Sequence, residues 1–483
     1  MNLFAVQRIL GVLLMLFSVA MLPPVVVGLG YGDGDVRPFL VAFGLLLVAG
    51  TAIWWPVRRS RQELRVRDGF LVVVLFWSVL GLSGALPFVL SQSPVISLTD
   101  AVFESVSGLT TTGATVIVGL DDLPHSILFY RMQLQWMGGM GIIVLAVAVL
   151  PMLGIGGMQL YRAETPGPMK DSKLTPRITE TAKALWYIYL GLTLMCALAY
   201  WLAGMNGFDA IGHAFTTVAI GGFSTHDASM GYFDSTLIEM IAVLFMLVSG
   251  ANFALHFVAW QSKSFLVYWR DAELHFYLAV MAVVTFLVTL VLYWSDTYIF
   301  WDNAFTKGLF QAVSIGTTTG FTTAEFYVWP GFLEILLLFA SFVGGCAGST
   351  AGGIKVIRVL LLIKQGMREI ERLIHPNAQI PVRVGSKTIG DRVFDAVWGF
   401  FSLYVASFIF MYLVLSLTGI DLMTAFSAVA ACINNLGPGL ARVGPHYADL
   451  NGAAKWILCF AMLLGRLEIF TLLVLLTPSF WRK

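Results

Sequence analysis

Charge is scarce in this chain. Of its 483 residues only 12% are charged while 58% are hydrophobic, and the mean hydropathy is +0.82. A soluble domain of this size would turn a greasy surface to water, so the composition excludes one. Cysteine is nearly as rare: Cys196, Cys346, Cys432 and Cys459 all lie in apolar stretches, form no CxxC pair and show no metal-ligand spacing. They read as small core residues. The seven histidines are scattered, and neither His213 nor His256 belongs to an HExxH pattern. The signature of a membrane-embedded enzyme is therefore missing, and that class stands only as a remote alternative; the chain is expected not to be an enzyme. No nucleotide motif occurs. A glycine-rich stretch ending near Lys355 superficially looks like a phosphate loop, but the lysine does not directly follow the last glycine and no strand precedes it. The net charge of +1 gives no argument for a nucleic-acid partner.

What is present is long apolar runs. Residues 9–27, 39–55, 70–90 and 457–476 are each long enough to cross a bilayer, since ~20 helical residues span the hydrocarbon core. A β-barrel would need alternation at period two instead. The first run follows Arg8 and lacks a small-residue cleavage pattern, so it reads as a retained helix and not as a signal peptide. The fold class is an all-α integral membrane protein. Basic residues mark one side of it: Arg58, Arg59, Arg61, Arg65 and Arg67; Arg162, Lys170, Lys173, Arg177 and Lys183; Lys263 and Arg270; Lys355, Arg358, Lys364, Arg368, Arg372, Arg383, Lys387 and Arg392; Arg482 and Lys483. By the positive-inside rule these connections and both termini are cytoplasmic.

The connections on the other side are almost free of Lys and Arg, and four carry a glycine motif: Thr111-Thr112-Gly113, Ile220-Gly221-Gly222, Thr318-Thr319-Gly320 and Asn435-Leu436-Gly437. Each follows a segment too short to cross. The spacing predicts two leading spans, then a unit used four times: span, short re-entrant helix, glycine loop, span. The short helices are expected at 99–109, 208–218, 302–316 and 421–433. This divides the chain into two leading transmembrane helices (1–68) and pore repeats at 69–182, 183–273, 274–391 and 392–483, with ten spans in all around a central pore. Asp100 and Asp209 stand thirteen positions before Gly113 and Gly222; with Asp302 and Asp421 they are candidates to cap the short helices. The C-terminal, partially negative helix ends would then point inward, where a cation is stabilised.

Irregular backbone at membrane depth is tolerated where it lines a cavity or is buried in protein. Glycine at positive φ turns carbonyls towards a common axis, and a ring of carbonyls replaces the hydration shell of a small cation. No carboxylate falls within the four motifs, which fits a monovalent cation better than a divalent one. The competing reading of any one glycine is close helix packing; four in register argue against it.

Three longer stretches add specificity. Thr-Thr-Thr-Gly-Ala-Thr at 110–115, residues 130–142 and residues 344–355, taken with the other three glycine loops, are similar to the filter and signature segments of the Trk/Ktr/HKT superfamily of potassium transporters. The resemblance covers essentially the whole chain and is strongest to the bacterial membrane subunits with two extra leading spans. It implies potassium uptake across the bacterial inner membrane. Glycine at Gly113, Gly222, Gly320 and Gly437 is the potassium-selective pattern, whereas a first-filter serine accompanies sodium permeation in plant members. The fourth loop departs from the Thr-Gly pattern, which leaves its ligands open. Channel-like conduction and symport coupled to H+ or Na+ both stand as readings. The resemblance also implies a homodimer and a cytosolic ring of TrkA-like, nucleotide-binding regulatory subunits, docked on the basic loops 160–183 and 364–392. Anionic lipid headgroups are the other partner those loops suit. Any nucleotide would bind the partner and not this chain.

The second span of the third unit, about 332–372, is roughly twice the length a crossing needs. Gly344, Gly345, Gly348, Gly352 and Gly353, with Ser349 and Thr350, interrupt it, and glycine costs ~1 kcal/mol per helix position against alanine. Either the helix packs closely through small residues or it breaks into a loop beneath the filter; the resemblance implies a gate. Arg466 and Glu468 lie deep in the last span, where charges are functional or paired. Arg466 looks like the family's pore-adjacent arginine and is assigned to the gate, a structural ion pair being the alternative. Glu104, in the first short helix, is expected to pair across repeats or to enrich cations at the mouth.

Overall fold

Two glycines set the first helix crossing. A methyl group on Gly11 would meet the Gly50 carbonyl oxygen at 2.8 Å, and one on Gly50 would meet that of Gly11 at 2.8 Å, so the leading helices pack backbone to backbone. The computed structural model describes residues 2–33, 36–59, 66–141, 178–385 and 387–482. Ile142 of the second signature stretch, the predicted end of the first unit, Arg61, Arg65, Arg162, Lys170, Lys173, Arg177, Lys483 and most of the 160–183 loop lie outside the described residues.

The chain is mostly helical. The strands among the described residues are Arg383–Val384 and Lys387–Thr388, an antiparallel pair. Among the described residues six helices are long and apolar enough to cross a membrane, or up to eight if each of two bent pairs counts as one span, which makes this a membrane protein. They include Leu3–Tyr31, Arg37–Val57, Arg67–Leu90, Lys183–Leu202, Ala272–Trp294 and Asp391–Ser416. One apolar core joins the leading helices to the parts of the chain around residues 70–134 and 400–472. A second fills the region 185–257, reaching Phe310, Val313 and Phe321.

Four short helices occur at Leu98–Leu109, Gly207–Val218, Trp301–Gly316 and Leu422–Asn434. Their caps differ from the expectation. Ser97 and Asn206 are the N-caps of the first two and accept the N–H of Asp100 and Asp209. Those aspartates sit one turn in, where Asp100 and Ser97 join side chains at 2.8 Å. The third helix has Phe300 at its N-cap and no side-chain cap bond, and Asp421 alone caps as expected. Serine and asparagine reach the N3 amide from outside the helix, a position that Asp421 shares but Asp100, Asp209 and Asp302 do not occupy.

The helices after the second, third and fourth loops are interrupted. Thr236–Ser249 and Phe253–Ser262 meet at 90°, and Gly452–Arg466 and Phe470–Leu476 at 116°. Gly331–Val343 and Val356–Ile374 are separated by residues 344–355. The apolar run 457–476 is thus not one straight span. Glu468 and Ile469 both have positive φ, 51° and 59°, which no α-helix accommodates.

Candidate functional site

Each short helix ends in the same turn. The amides of Thr112, Gly221, Thr319 and Leu436 donate to the carbonyls of Ser107, Thr216, Ser314 and Ala431 at 2.8–2.9 Å. This closure needs a left-handed residue just before the donor, and the chain supplies Thr111 (φ 56°), Ile220 (54°), Thr318 (69°) and Asn435 (53°). Two positions later the motif glycines are left-handed again: Gly113 (81°), Gly222 (78°), Gly320 (85°) and Gly437 (92°). The glycines are legible in the sequence. The left-handed Thr and Ile are not, because β-branched residues rarely adopt positive φ.

The loops meet in cyclic order. A side chain on Gly113 would run into the Gly221 carbonyl oxygen, one on Gly222 into that of Thr319, and one on Gly320 into that of Leu436. One on Gly437 would meet the Thr112 carbonyl oxygen at 2.7 Å, closing the circle. Thr111, Thr112, Ile220, Gly221, Thr318, Thr319, Asn435 and Leu436 are buried, and Gly113, Gly222 and Gly320 are partly exposed. Hydroxyls brace the turns: Thr110 to Thr112 at 2.8 Å and Thr317 to Thr319 at 2.7 Å. Asn435 Nδ2 donates to Thr112 Oγ1 at 2.9 Å, joining the fourth loop to the first. Tyr447 donates to the Gly437 carbonyl at 2.7 Å.

The 344–355 loop lies against the same helix ends. Thr350 Oγ1 donates to the Val218 carbonyl at 3.0 Å, the Gly352 amide to Thr318 Oγ1 at 2.7 Å, and the Gly353 amide to the Asn434 carbonyl at 3.1 Å. Those three contacts reach the second, third and fourth loops. Arg466 reaches the first: Nη1 lies 3.4 Å from Thr111 Oγ1 and 3.5 Å from the Thr350 carbonyl, while Nη2 donates to the Gly138 carbonyl. The neck of the loop is tied by Ile354 to the Phe342 carbonyl at 2.9 Å and Val356 to that of Gly345 at 3.0 Å. Gly344, Gly348, Gly353 and Lys355 take positive φ. Ser349 bonds within the loop to the Cys346 carbonyl, and the Gly348 carbonyl accepts from Phe253.

Glu468 does not pair with Arg466; its carboxylate lies 2.5 Å from Arg358 Nη2. Glu104 is neither at a mouth nor paired across repeats. It is fully buried and bonds Arg131 Nε at 2.8 Å, a residue of the same predicted repeat. Sequence reasoning missed Arg131 and Gln135 as neighbours of the loops, although both lie in the 130–142 stretch it singled out.

Outside the short helices, His226 bridges Asp121 at 2.5 Å and Asp209 at 3.3 Å and stacks on Tyr232. Partial burial pulls its pKa down, and the two carboxylates outweigh that, leaving it raised above the ordinary 6.5.

Comparison with known proteins points one way. The family model for TrkH, a cation transport protein, matches residues 37–483. The chain is 60% identical over 481 residues to the Trk system potassium uptake protein TrkH of Vibrio parahaemolyticus, with 99% of each chain covered. It is 56% identical over 483 residues to the TrkH of Escherichia coli K12, with 100% of each covered, and 44% identical over 478 residues to the TrkG of the same strain, with 99% and 98% covered. The crystal structure of the potassium transporter TrkH from Vibrio parahaemolyticus superposes with a TM-score of 0.91 at 57% identity over 100% of both chains.

Proposed function

The chain belongs to the TrkH family of cation transport proteins, and on that premise we propose that it takes up potassium across the bacterial inner membrane. K+ is the cargo. The conduction path runs through the ring of Gly113, Gly222, Gly320 and Gly437, with the backbone of Thr111, Thr112, Ile220, Gly221, Thr318, Thr319, Asn435 and Leu436 as ligands. The four units form pseudo-repeats around a central pore, behind two leading helices. The observation that carries this reading is the cyclic contact of each motif glycine with the carbonyl before the next one. Alternating left-handed residues bring successive carbonyls to one side, and four such segments make the oxygen cage that a dehydrated monovalent cation requires.

Conduction is channel-like. The four motifs hold no carboxylate, and the buried Glu104 beside them is bound to Arg131, so neither supplies the free titratable relay that coupled transport needs. The 344–355 loop, including Gly344, Gly345, Gly348, Ser349, Thr350, Gly352 and Gly353, is the gate, closed in this conformation, and Arg466 adds a positive barrier below the ring. A cytosolic nucleotide-binding ring, docked on the basic loops of a homodimer with both termini cytoplasmic, would open it by pulling on Val356–Ile374.

The test is the reversal potential in a planar bilayer with K+ on one side and Na+ on the other, for the wild type and Gly113→Ser. A strong K+ preference that ignores a pH gradient, and that falls at least tenfold in Gly113→Ser, is expected. The serine Cβ has no room beside the Gly221 carbonyl. A potential that tracks the proton or sodium gradient, or an unchanged ratio in the variant, would overturn the reading.

A further inference from the structure

Nine positions before each motif glycine stands a residue on the loop-facing side of its short helix: Glu104, His213, Gln311 and Ala428. The first three bond back to the outgoing limb of their own loop. His213 Nε2 joins Ser224 Oγ at 2.9 Å, and Gln311 Nε2 donates to the Ala324 carbonyl at 3.4 Å. Glu104 does far more. Its carboxylate accepts the Thr115 hydroxyl at 3.0 Å and the Val116 amide at 2.9 Å. It also binds Arg131, which is 1% exposed while Glu104 is 0% exposed.

Arg131 carries the contact across to the next loop. Nη2 donates to Thr115 Oγ1 at 3.1 Å, and Nη1 donates to the Ser224 carbonyl at 3.1 Å. Its guanidinium lies 4.3 Å from the centre of the Phe223 ring. Thr115 and Ser224 are equivalent residues, each two positions after its motif glycine. One turn along the same helix, His125–Gly139, Gln135 grips the second loop from both sides. Its Nε2 donates to the Gly221 carbonyl at 2.7 Å, and its Oε1 accepts the Phe223 amide at 3.0 Å.

From this geometry we infer that Glu104, Arg131 and Gln135 are positioning residues for selectivity: a buried splint that fixes the first and second glycine loops at one spacing. The inference rests on the reading of the four loops as the filter. A cage discriminates between cations only if its oxygens hold their spacing, and a planar guanidinium with partners on both loops resists that spacing changing. The third and fourth loops carry an amide and a methyl at the equivalent helix positions. Loosening the splint therefore acts on one side of the ring and alters selectivity before conductance.

The test compares Arg131→Lys, Gln135→Met and Gly113→Ser in the full-length chain. Lysine keeps the charge beside Glu104 but has no fork to reach both loops; methionine keeps volume and adds no charge. Each variant is measured by K+/Na+ reversal potential and by the difference in thermal midpoint between KCl and NaCl, which reports cation binding even where the gate stays shut. The expected result is a permeability ratio reduced about tenfold in Arg131→Lys and about fivefold in Gln135→Met, the size of one or two lost hydrogen bonds. The K+-specific thermal shift shrinks in parallel, and single-channel K+ current stays near the wild-type value. If Arg131→Lys fails to fold, Gln135→Met decides. Wild-type ratios and thermal differences in the folded variants, beside a changed Gly113→Ser, would overturn the splint alone. No change in Gly113→Ser either would overturn the filter reading beneath it.

Discussion

Thr111, Ile220 and Thr318 hold backbone angles that their side chains disfavour, at roughly 1–3 kcal/mol each. Asparagine tolerates the left-handed region far better, which suits Asn435 in the fourth loop. Thr318 has a second task, since its hydroxyl oxygen accepts the Gly352 amide of the 344–355 loop at 2.7 Å. Valine at this position would keep the shape and the strain but remove the acceptor. The stranded amide costs about 1–3 kcal/mol and the loop seat weakens by that amount. Thr318→Val should therefore raise basal open probability roughly tenfold without altering the K+/Na+ ratio. Single-channel recording in the absence of any partner checks this; an unchanged open probability would show that the hydroxyl does not hold the gate.

At the scale of elements, the helices after the second, third and fourth loops share a break, and each break serves a different end. After the second loop the chain bends at 250–252, where the Gly250 carbonyl accepts the Cys346 amide at 2.8 Å. After the third it opens into the 344–355 loop, and after the fourth it turns at Leu467 so that Arg466 and Glu468 separate. Arg466 goes to the first loop and the 344–355 loop, and Glu468 goes to Arg358 on Val356–Ile374. The amphipathic helix Val356–Ile374 is thus joined to the 344–355 loop by chain connection and, through Arg358, to the turn after Arg466 by an ion pair of low exposure; if that loop is the gate, the two make a contiguous route for movement. Shortening the loop by removing residues 345–351 deletes the Thr350 contact with Val218 and the Cys346 and Gly348 contacts with Gly250 and Phe253. Conduction should rise several-fold while the protein remains monodisperse; a folded deletion with unaltered conduction would mark the segment as packing alone.

For the whole molecule, residues 69–141 and 183–273 are joined at two places. One joint is Arg131; the other is His226, held between Asp121 and Asp209, with Asp227 accepting the amides of Gly119 and Leu120 at 3.1 and 3.0 Å. Burial lowers the His226 pKa, and the carboxylates more than reverse this, so it is raised in the folded state. A raised histidine contributes stability fully below its unfolded value of about 6.5 and loses it as pH climbs through the folded value. The wild type should exceed His226→Gln in thermal midpoint by about 2–4 °C in that acidic range and converge with it at alkaline pH. A constant difference across pH would mean that the imidazolium contributes no charge pairing.

The membrane class, the sites of the four short helices, the motif glycines and the break in the long span after the third loop were legible from residue order alone. Hydropathy, glycine spacing and helix-breaking composition are local properties, and a lipid environment leaves the backbone few alternatives. The bends after the second and fourth loops were not legible, because a single glycine and asparagine in Gly250-Ala251-Asn252 are a weak signal beside the five glycines of 344–353, and Leu467-Glu468-Ile469 carries no helix breaker at all. Nor were the true caps, Ser97 and Asn206, or the left-handed Thr and Ile. Only tertiary structure decided which charges meet. Glu104 with Arg131, and Glu468 with Arg358, are 27 and 110 positions apart. A buried charge takes whichever partner the packing brings within hydrogen-bond reach, and sequence distance says nothing of that.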